Sequence, residues 1–183
     1  SSSRLVREHE VEQLPSGLIS LLGGKWTTCR VLALDALHLV LERLAGAKPA
    51  AQPLPLLGSA ADSDQTVPQL QALRPRLLQQ LPDHAQQAAQ VDHLIASYGL
   101  RAEEVIHHAQ QPSELEPLSE VVPICRAEWR FNIAQEWATT SSDLLSRRSR
   151  LALLDQQETA RLSSIASELL LESGSTSPIN HQQ

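Results

Sequence analysis

The chain has 183 residues, of which 42% are hydrophobic and 20% are charged, a composition typical of a globular protein. Its 15 basic and 21 acidic residues give a net charge of −6. This negative field repels phosphate backbones, so a nucleic-acid binder is excluded as a first hypothesis. The two cysteines, Cys29 and Cys125, lie far apart without companion ligands, so the sequence predicts neither a disulfide scaffold nor a metal site.

The first residues of the chain and the lengths of its apolar runs indicate whether it is a fragment, is secreted or spans a membrane. No methionine occurs anywhere, and the chain opens on Ser1-Ser2-Ser3, so we expect a fragment of a longer protein. There is no basic leader followed by an apolar run, and no apolar stretch of about 18 residues. Neither a signal peptide nor a transmembrane helix is therefore predicted.

The first structured element is predicted to be a β-hairpin followed by a helix. Two short runs compatible with strands, His9 to Leu14 and Leu18 to Leu22, flank Pro15-Ser16-Gly17, which is a favourable turn triplet. Gly23-Gly24 then ends the second strand. From about Trp26 to Leu44 the residues are strong helix formers without glycine or proline, and most of them are apolar. A helix of this kind is normally buried in a larger body.

A proline-rich segment separates this element from the rest of the chain. Residues 46–82 hold six of the eleven prolines, and we interpret them as a linker or an irregular crossing. Beyond it the apolar residues recur at helical spacing, so residues 83–174 are predicted to form a bundle of about five short helices. The best defined helix begins with a capping box at Asp155 and ends at Gly174. Residues 175–183 are predicted to be a flexible tail.

The segment with the most chemical information is Gly23-Gly24-Lys25-Trp26-Thr27-Thr28. A strand that leads through two glycines into a helix lets the backbone approach a ligand closely, and the first-turn amides then face that ligand. Lys25 adds a positive charge, and the two threonine hydroxyls can donate or accept hydrogen bonds. The pattern therefore indicates a site that tolerates an anion. The structural alternative is a strand-to-helix turn whose threonines cap the helix.

Other polar clusters carry weaker signals. Four histidines fall in one predicted pair of helices, but their spacing does not place ligands on one face, so we predict solvated histidines. Three clustered arginines are predicted to form a solvated or salt-bridged helix face, with an anionic lipid or another domain as the alternative partner. The histidines are His84, His93, His107 and His108, and the arginines are Arg147, Arg148 and Arg150.

Five segments in a fixed order resemble one family. Residues 16–30 are similar to the signature near the end of the flavin-binding domain in FAD-dependent glycerol-3-phosphate dehydrogenases, and residues 6–9 resemble a short segment that precedes it. Residues 98–105, 116–118 and 127–155 then follow the order of that family's helical C-terminal domain. The resemblance identifies the chain as a C-terminal fragment of a member of this family.

The resemblance implies a mainly α fold. Residues 1–45 would be the end of a Rossmann-like FAD-binding domain, with the β-hairpin and the strand–Gly-Gly–helix element, and residues 83–174 would be the helical C-terminal domain. It also implies a flavoenzyme of glycerol metabolism that oxidises sn-glycerol 3-phosphate to dihydroxyacetone phosphate and passes electrons through FAD to quinone. Such an enzyme would be a cytoplasmic protein, peripheral on the cytoplasmic side of the membrane.

The resemblance also assigns roles to particular residues. Arg7 and Lys25 would bind glycerol 3-phosphate, and Lys25 would act as the catalytic residue beside the flavin ring. Gly23, Gly24, Thr27 and Thr28 would bind the cofactor along its pyrimidine edge. Guanidinium and ammonium groups suit these positions because a phosphate dianion needs charge compensation when it leaves water.

Two expectations concern the chain on its own. The glycine fingerprint that holds the FAD pyrophosphate would lie in the missing N-terminal part of the FAD domain, so we expect the fragment alone to be inactive and to bind FAD weakly or not at all. The alternative hypothesis is a noncatalytic helical interaction module, in which the first 45 residues dock on a partner.

Overall fold

The protein is described by a computed structural model that covers residues 9–44 and 54–174. Arg7, residues 46–53 of the predicted crossing and the predicted tail over 175–183 lie outside the described residues. The chain divides between Leu54 and Pro55 into two compact units, which we call the first and the second unit.

The first unit contains the predicted hairpin. Strands β1 (His9–Gln13) and β2 (Ile19–Gly23) are antiparallel, with His9 opposite Gly23. The turn between them is closed by the Leu14 N–H, which donates to the Leu18 carbonyl at 2.8 Å. The turn triplet and the short strand-compatible runs were therefore sufficient to predict this element.

A helix follows the hairpin directly. A single 3₁₀ turn (Trp26–Thr28) leads into helix α1 (Cys29–Arg43). Leu32 is the one buried residue of α1 among those that the structure describes, whereas several other apolar side chains of the helix are exposed. Helix α1 therefore carries apolar side chains on most of its sides, as the sequence predicts, and many of these side chains are exposed.

The second unit is helical, which confirms the predicted fold class. Its helices are short, and they are connected by 3₁₀ turns and irregular loops. They are α2 (Thr66–Gln80), α3 (Gln87–Tyr98), α4 (Ala102–Ile106), α5 (Arg126–Gln135), a π-helical segment (Asp143–Arg148), α6 (Leu151–Leu154) and α7 (Gln156–Glu172).

Helix α2 differs from the sequence-based expectation. The predicted irregular crossing over residues 46–82 contains a regular helix at Thr66–Gln80, with Pro75 inside it. A proline within a helix removes one backbone hydrogen bond, but burial of Leu73 and Leu77 offsets that loss. Pro68 lies in the first turn, where a backbone N–H has no partner within the helix. The density of prolines was therefore a misleading signal.

Two apolar clusters form the core of the second unit, and α5 contributes to both. Trp129 packs in a cluster with residues of α7 such as Leu162 and Leu169. Phe131, two residues further along, packs in the other cluster with residues of α2, α3 and α4. Because nearly opposite faces of α5 enter different clusters, this helix is the central element of the unit.

Helix boundaries near the C-terminal end are set by side-chain caps and by one break. Asp155 accepts hydrogen bonds from the backbone N–H groups of Gln157 and Glu158 at 2.8 and 2.9 Å, as the capping pattern predicts. Upstream of Asp155, the helical path is divided into the π-helical segment and α6. The break occurs at Arg150, which has a left-handed backbone with φ of 57°.

Gly99 permits a close approach of two chain segments. Its φ is +59°, and a Cβ atom placed on it would collide with the carbonyl oxygen of Gly58. The same carbonyl accepts a hydrogen bond from the Leu100 N–H at 2.9 Å, so the two segments are held together here.

We expect Gly99→Ala to lower the free energy of unfolding by about 1–3 kcal/mol from backbone strain alone, with a further loss from the collision. Denaturant unfolding of the purified chain measures this loss. Gly174→Ala is a suitable control, because Gly174 also has a positive φ, but no atom of the described residues lies within 4 Å of a Cβ atom placed on it. An equal loss in both variants would contradict the role assigned to the close approach.

Candidate functional site

The strand-to-helix junction of the first unit is the candidate site. Gly24 has a φ of +84°, and a Cβ atom placed on it would lie 2.8 Å from Leu32 Cδ1 and 3.4 Å from His9 Cβ. Glycine is therefore required at this position by the packing of β1 and α1 against the turn. Lys25 follows with an extended backbone and places the start of the 3₁₀ turn.

The hydroxyl of Thr28 has a local role. It donates to the Lys25 carbonyl at 3.0 Å, and the Lys25 N–H lies 3.4 Å from the same oxygen. These contacts fix the 3₁₀ turn, but Thr28, at the N-cap of α1, makes no side-chain cap hydrogen bond to that helix. The side chains of Lys25 and Thr27 are exposed, and Trp26 between them is 89% exposed.

The electrostatics of the junction favour an anion. The first amides of a helix have no acceptor within the helix, and they carry the positive end of its dipole. The exposed ammonium of Lys25 adds a full positive charge beside them. An exposed lysine at the start of a helix is compatible with a site that tolerates an anion, and the site itself stays a prediction.

A histidine–carboxylate pair next to this junction was not found by sequence reasoning. His9 Nε2 lies 2.6 Å from Asp35 Oδ2, and His9 faces Gly23 in the sheet register. The pair ties β1 to α1 beneath the junction. The two residues are 26 positions apart, so no short motif could have joined them.

The predicted site residues therefore divide into two groups. Gly23, Gly24, Lys25, Thr27 and Thr28 lie together, because they are contiguous in the chain and the turn folds as expected. Arg7, which would share the substrate with Lys25, lies outside the described residues. Its predicted proximity to Lys25 stays a prediction.

A second polar cluster lies between α3 and α5. The Glu128 side chain is 2% exposed, and its Oε1 lies 2.9 Å from His93 Nε2 and accepts a hydrogen bond from the Tyr98 hydroxyl at 2.9 Å. Asn132 Nδ2 donates to the Tyr98 oxygen at 2.9 Å. Burial and the neighbouring Glu128 carboxylate raise the pKa of the Tyr98 phenol. The cluster is thus a buried network that stabilises this helix pair.

The prediction of solvated histidines is wrong for His93. Its side chain is 19% exposed and is paired with a buried carboxylate. Burial disfavours the charged imidazole, but the hydrogen bond and the charge of Glu128 outweigh burial and raise the pKa of His93 above its ordinary value. The available signal was Glu128, a charged residue three positions before Phe131 on an apolar helix face.

We expect the stability of the second unit to fall as pH rises through the raised pKa of His93. A histidine whose pKa is higher in the folded state stabilises that state fully below its unfolded pKa of about 6.5, and the contribution is lost at higher pH. Denaturant unfolding monitored between acidic and mildly alkaline pH measures this slope. His93→Gln should flatten it, whereas His107→Gln, at an exposed histidine that follows α4, should leave it unchanged. A slope unaffected by His93→Gln would refute the assignment.

The described residues contain neither a group of metal ligands nor a helix that could span a membrane. Within 9–44 and 54–174, no three side chains of His, Cys, Asp or Glu gather as a metal ion would require. No helix in the described part of the chain has both the length and the apolar character to cross a bilayer.

The fold and the junction define the chain as a helical domain that follows a strand–glycine–helix element. Residues 50–174 match a protein family described as the C-terminal domain of alpha-glycerophosphate oxidase. The chain belongs to this family. The resemblance stated from the sequence is therefore confirmed.

Similar proteins carry consistent names. Glycerol-3-phosphate dehydrogenase 1 of Mycobacterium tuberculosis (strain H37Rv) is 31% identical over 166 residues, which are 90% of this chain and 29% of the relative. A probable mitochondrial glycerol-3-phosphate dehydrogenase of Dictyostelium discoideum is 31% identical over 163 residues, 86% of this chain and 24% of its own length. The human mitochondrial glycerol-3-phosphate dehydrogenase is 34% identical over 157 residues, which are 82% of this chain and 20% of the relative. The chain thus spans less than a third of the length of these relatives.

Proposed function

We propose that the chain is the C-terminal part of a flavoenzyme that oxidises sn-glycerol 3-phosphate to dihydroxyacetone phosphate. The observation that carries the proposal is the match of residues 50–174 to the family, together with relatives named glycerol-3-phosphate dehydrogenase. The positive strand-to-helix junction of the first unit supports it. The proposal includes FAD as cofactor, quinone as electron acceptor and peripheral attachment to the cytoplasmic side of the membrane.

In this proposal Lys25 binds the anionic substrate. An exposed ammonium at the start of a helix attracts a phosphorylated alcohol. This electrostatic attraction becomes stronger when the rest of the enzyme excludes water from the site. Arg7 would hold the phosphate group through its guanidinium fork, which matches phosphate geometry. The assignment of Arg7 depends on its place two residues before β1 and on the family resemblance.

The residues of the junction also suit a flavin. FAD supplies the hydride acceptor when it is bound. The first-turn amides at Trp26 and Thr27 and the ammonium of Lys25 provide positive potential for its electron-rich pyrimidine edge. Gly23 has no side chain to cover its exposed backbone, whereas the missing side chain of Gly24 makes room for Leu32. The Thr27 side chain is exposed, and Thr28 contributes by holding the turn.

The chain alone is expected to remain colourless when purified, even after incubation with FAD and gel filtration. The FAD pyrophosphate would be held by a glycine fingerprint in the part of the relatives that this chain does not span. Visible absorption of the filtered protein measures the bound flavin. Stoichiometric flavin on the 183-residue chain would contradict this part of the proposal.

The activity is tested on a longer protein that contains this chain and the preceding flavin domain. Anaerobic titration with glycerol 3-phosphate should bleach the flavin absorption, and titration with glycerol, which lacks the phosphate, should not do so at the same concentrations. Absence of bleaching by glycerol 3-phosphate would overturn the proposed reaction. Reoxidation by a soluble quinone analogue, compared with reoxidation by oxygen, then tests the proposed acceptor.

A further inference from the structure

One arginine of the second unit differs from the other eight in its charge environment. The described residues from Pro55 to Gly174 contain nine arginines and no lysine. Eight of them have a carboxylate oxygen within 4.0 Å, and Arg150 is the exception among these described residues. The unit is rich in acidic residues, so an arginine without such a neighbour needs an explanation.

The backbone of Arg150 strengthens this point. Its φ and ψ are 57° and 11°, at the break between the π-helical segment and α6. A left-handed conformation is strained for a residue with a side chain, and glycine adopts it without this strain. The change of direction requires the conformation, but it does not require a guanidinium. The exposed guanidinium of Arg150 therefore serves neither the turn nor an ion pair with the described residues, which leaves it available to a ligand.

Arg150 lines a cleft of about 600 Å³ with two further arginines. Arg147 Nη1 lies 2.6 Å from Asp143 Oδ1, and Arg148 Nη2 donates to the Glu136 carbonyl at 2.6 Å. The Nε of Arg148 is buried and 3.2 Å from Glu136 Oε2, but it is not aligned for a hydrogen bond.

The remaining charged groups of the cleft are balanced. His93 also lines it and is paired with Glu128 behind it. Each cation of the cleft other than Arg150 therefore has its own carboxylate: Arg147 has Asp143, Arg148 has Glu136, and His93 has Glu128. The positive charge that is not compensated by the described residues is that of Arg150.

We propose that this cleft binds a tetrahedral oxyanion of the phosphate class, with Arg150 as its principal ligand. Guanidinium groups bind phosphate oxygens through paired N–H donors, and the uncompensated charge of Arg150 attracts an anion into the cleft. Arg147 and Arg148 border the bound group, and their own carboxylates keep them in place. A free phosphate, a phosphate monoester and a phospholipid headgroup share this chemistry.

The test uses the complete 183-residue chain and inorganic phosphate, at constant ionic strength set with chloride. Isothermal titration calorimetry should detect phosphate binding to the unmodified chain. Arg150→Gly should raise the dissociation constant at least ~10-fold, since a charge-assisted hydrogen bond is lost. The variant should fold normally, because glycine relieves the left-handed backbone. Arg74→Gln, at an exposed paired arginine on α2, should leave the dissociation constant unchanged.

A second arm distinguishes the source of the phosphate group. Co-sedimentation compares vesicles of phosphatidylglycerol with vesicles of phosphatidylcholine. If inorganic phosphate binds in solution and this binding is lost in Arg150→Gly, the proposal is supported, and the source of the phosphate group is a soluble compound. Binding to phosphatidylglycerol vesicles alone, lost in the same variant, supports it with a lipid headgroup as the source. Equal binding by Arg150→Gly and the unmodified chain, or binding of neither probe, overturns it.

Discussion

Replacing Arg130 with methionine is expected to lower the free energy of unfolding of the second unit by about 3–5 kcal/mol. Arg130 on α5 donates to both carboxylate oxygens of Glu114 at 2.8–2.9 Å and to Glu172 at the end of α7 at 2.7 Å. The Glu114 side chain is 4% exposed, and the hydrogen bonds of Arg130 hold its pKa below the ordinary range. Removal of the arginine would leave this carboxylate buried without its counterion.

Denaturant unfolding of the 183-residue chain measures the loss. Arg74→Met provides the matched control, because Arg74 pairs with Asp92 at an exposed position, and exposed pairs contribute little to stability. The double variant Arg130→Met with Glu114→Gln should recover much of the stability, since it removes both charges together. If the single and double variants are equally destabilised, the unpaired charge is not the cause.

Replacing Lys25 with alanine in the longer flavin-containing protein is expected to raise the Michaelis constant for glycerol 3-phosphate by roughly 10- to 100-fold. This range corresponds to the loss of one charge-assisted hydrogen bond, about 1.5–3 kcal/mol. Lys25 is exposed, and it is the residue that directly precedes the 3₁₀ turn leading into α1. Steady-state kinetics with varied glycerol 3-phosphate measure the effect.

Two variants separate the charge of Lys25 from its shape. Lys25→Arg should retain part of the affinity, because it keeps the positive charge at the same position. Arg74→Ala, in the second unit, should leave the Michaelis constant unchanged. A normal Michaelis constant in Lys25→Ala would remove the substrate-binding role proposed for this residue, even if the flavin of the protein is still bleached by glycerol 3-phosphate.

Local sequence patterns predicted the elements that are stabilised by contacts between residues close together in the chain. The hairpin follows from two short runs around Pro15-Ser16-Gly17, and the start of α7 follows from the capping pattern at Asp155. Helix α2 was missed because its prolines outweighed the spacing of Leu73 and Leu77. Those leucines stabilise the helix through burial against other helices, and a tertiary contact of this kind is absent from any local window.

The candidate site was predictable only where it is contiguous. Residues 23–28 lie together because one turn of chain carries them. The pairs His9–Asp35, His93–Glu128 and Glu114–Arg130 join positions 16 to 35 residues apart, so their formation depends on how the elements meet. A charged residue on an apolar helix face, such as Glu128, gave the one usable signal that a partner was needed.

The position of α5 between two apolar clusters has a consequence for the dynamics of the second unit. Trp129 and Phe131 are both fully buried, and each packs against a different group of helices. Local opening of either group therefore exposes one face of α5 and weakens the other group. The unit should consequently open as one cooperative body, and the amide protons of α5 should be among the slowest to exchange with solvent deuterium.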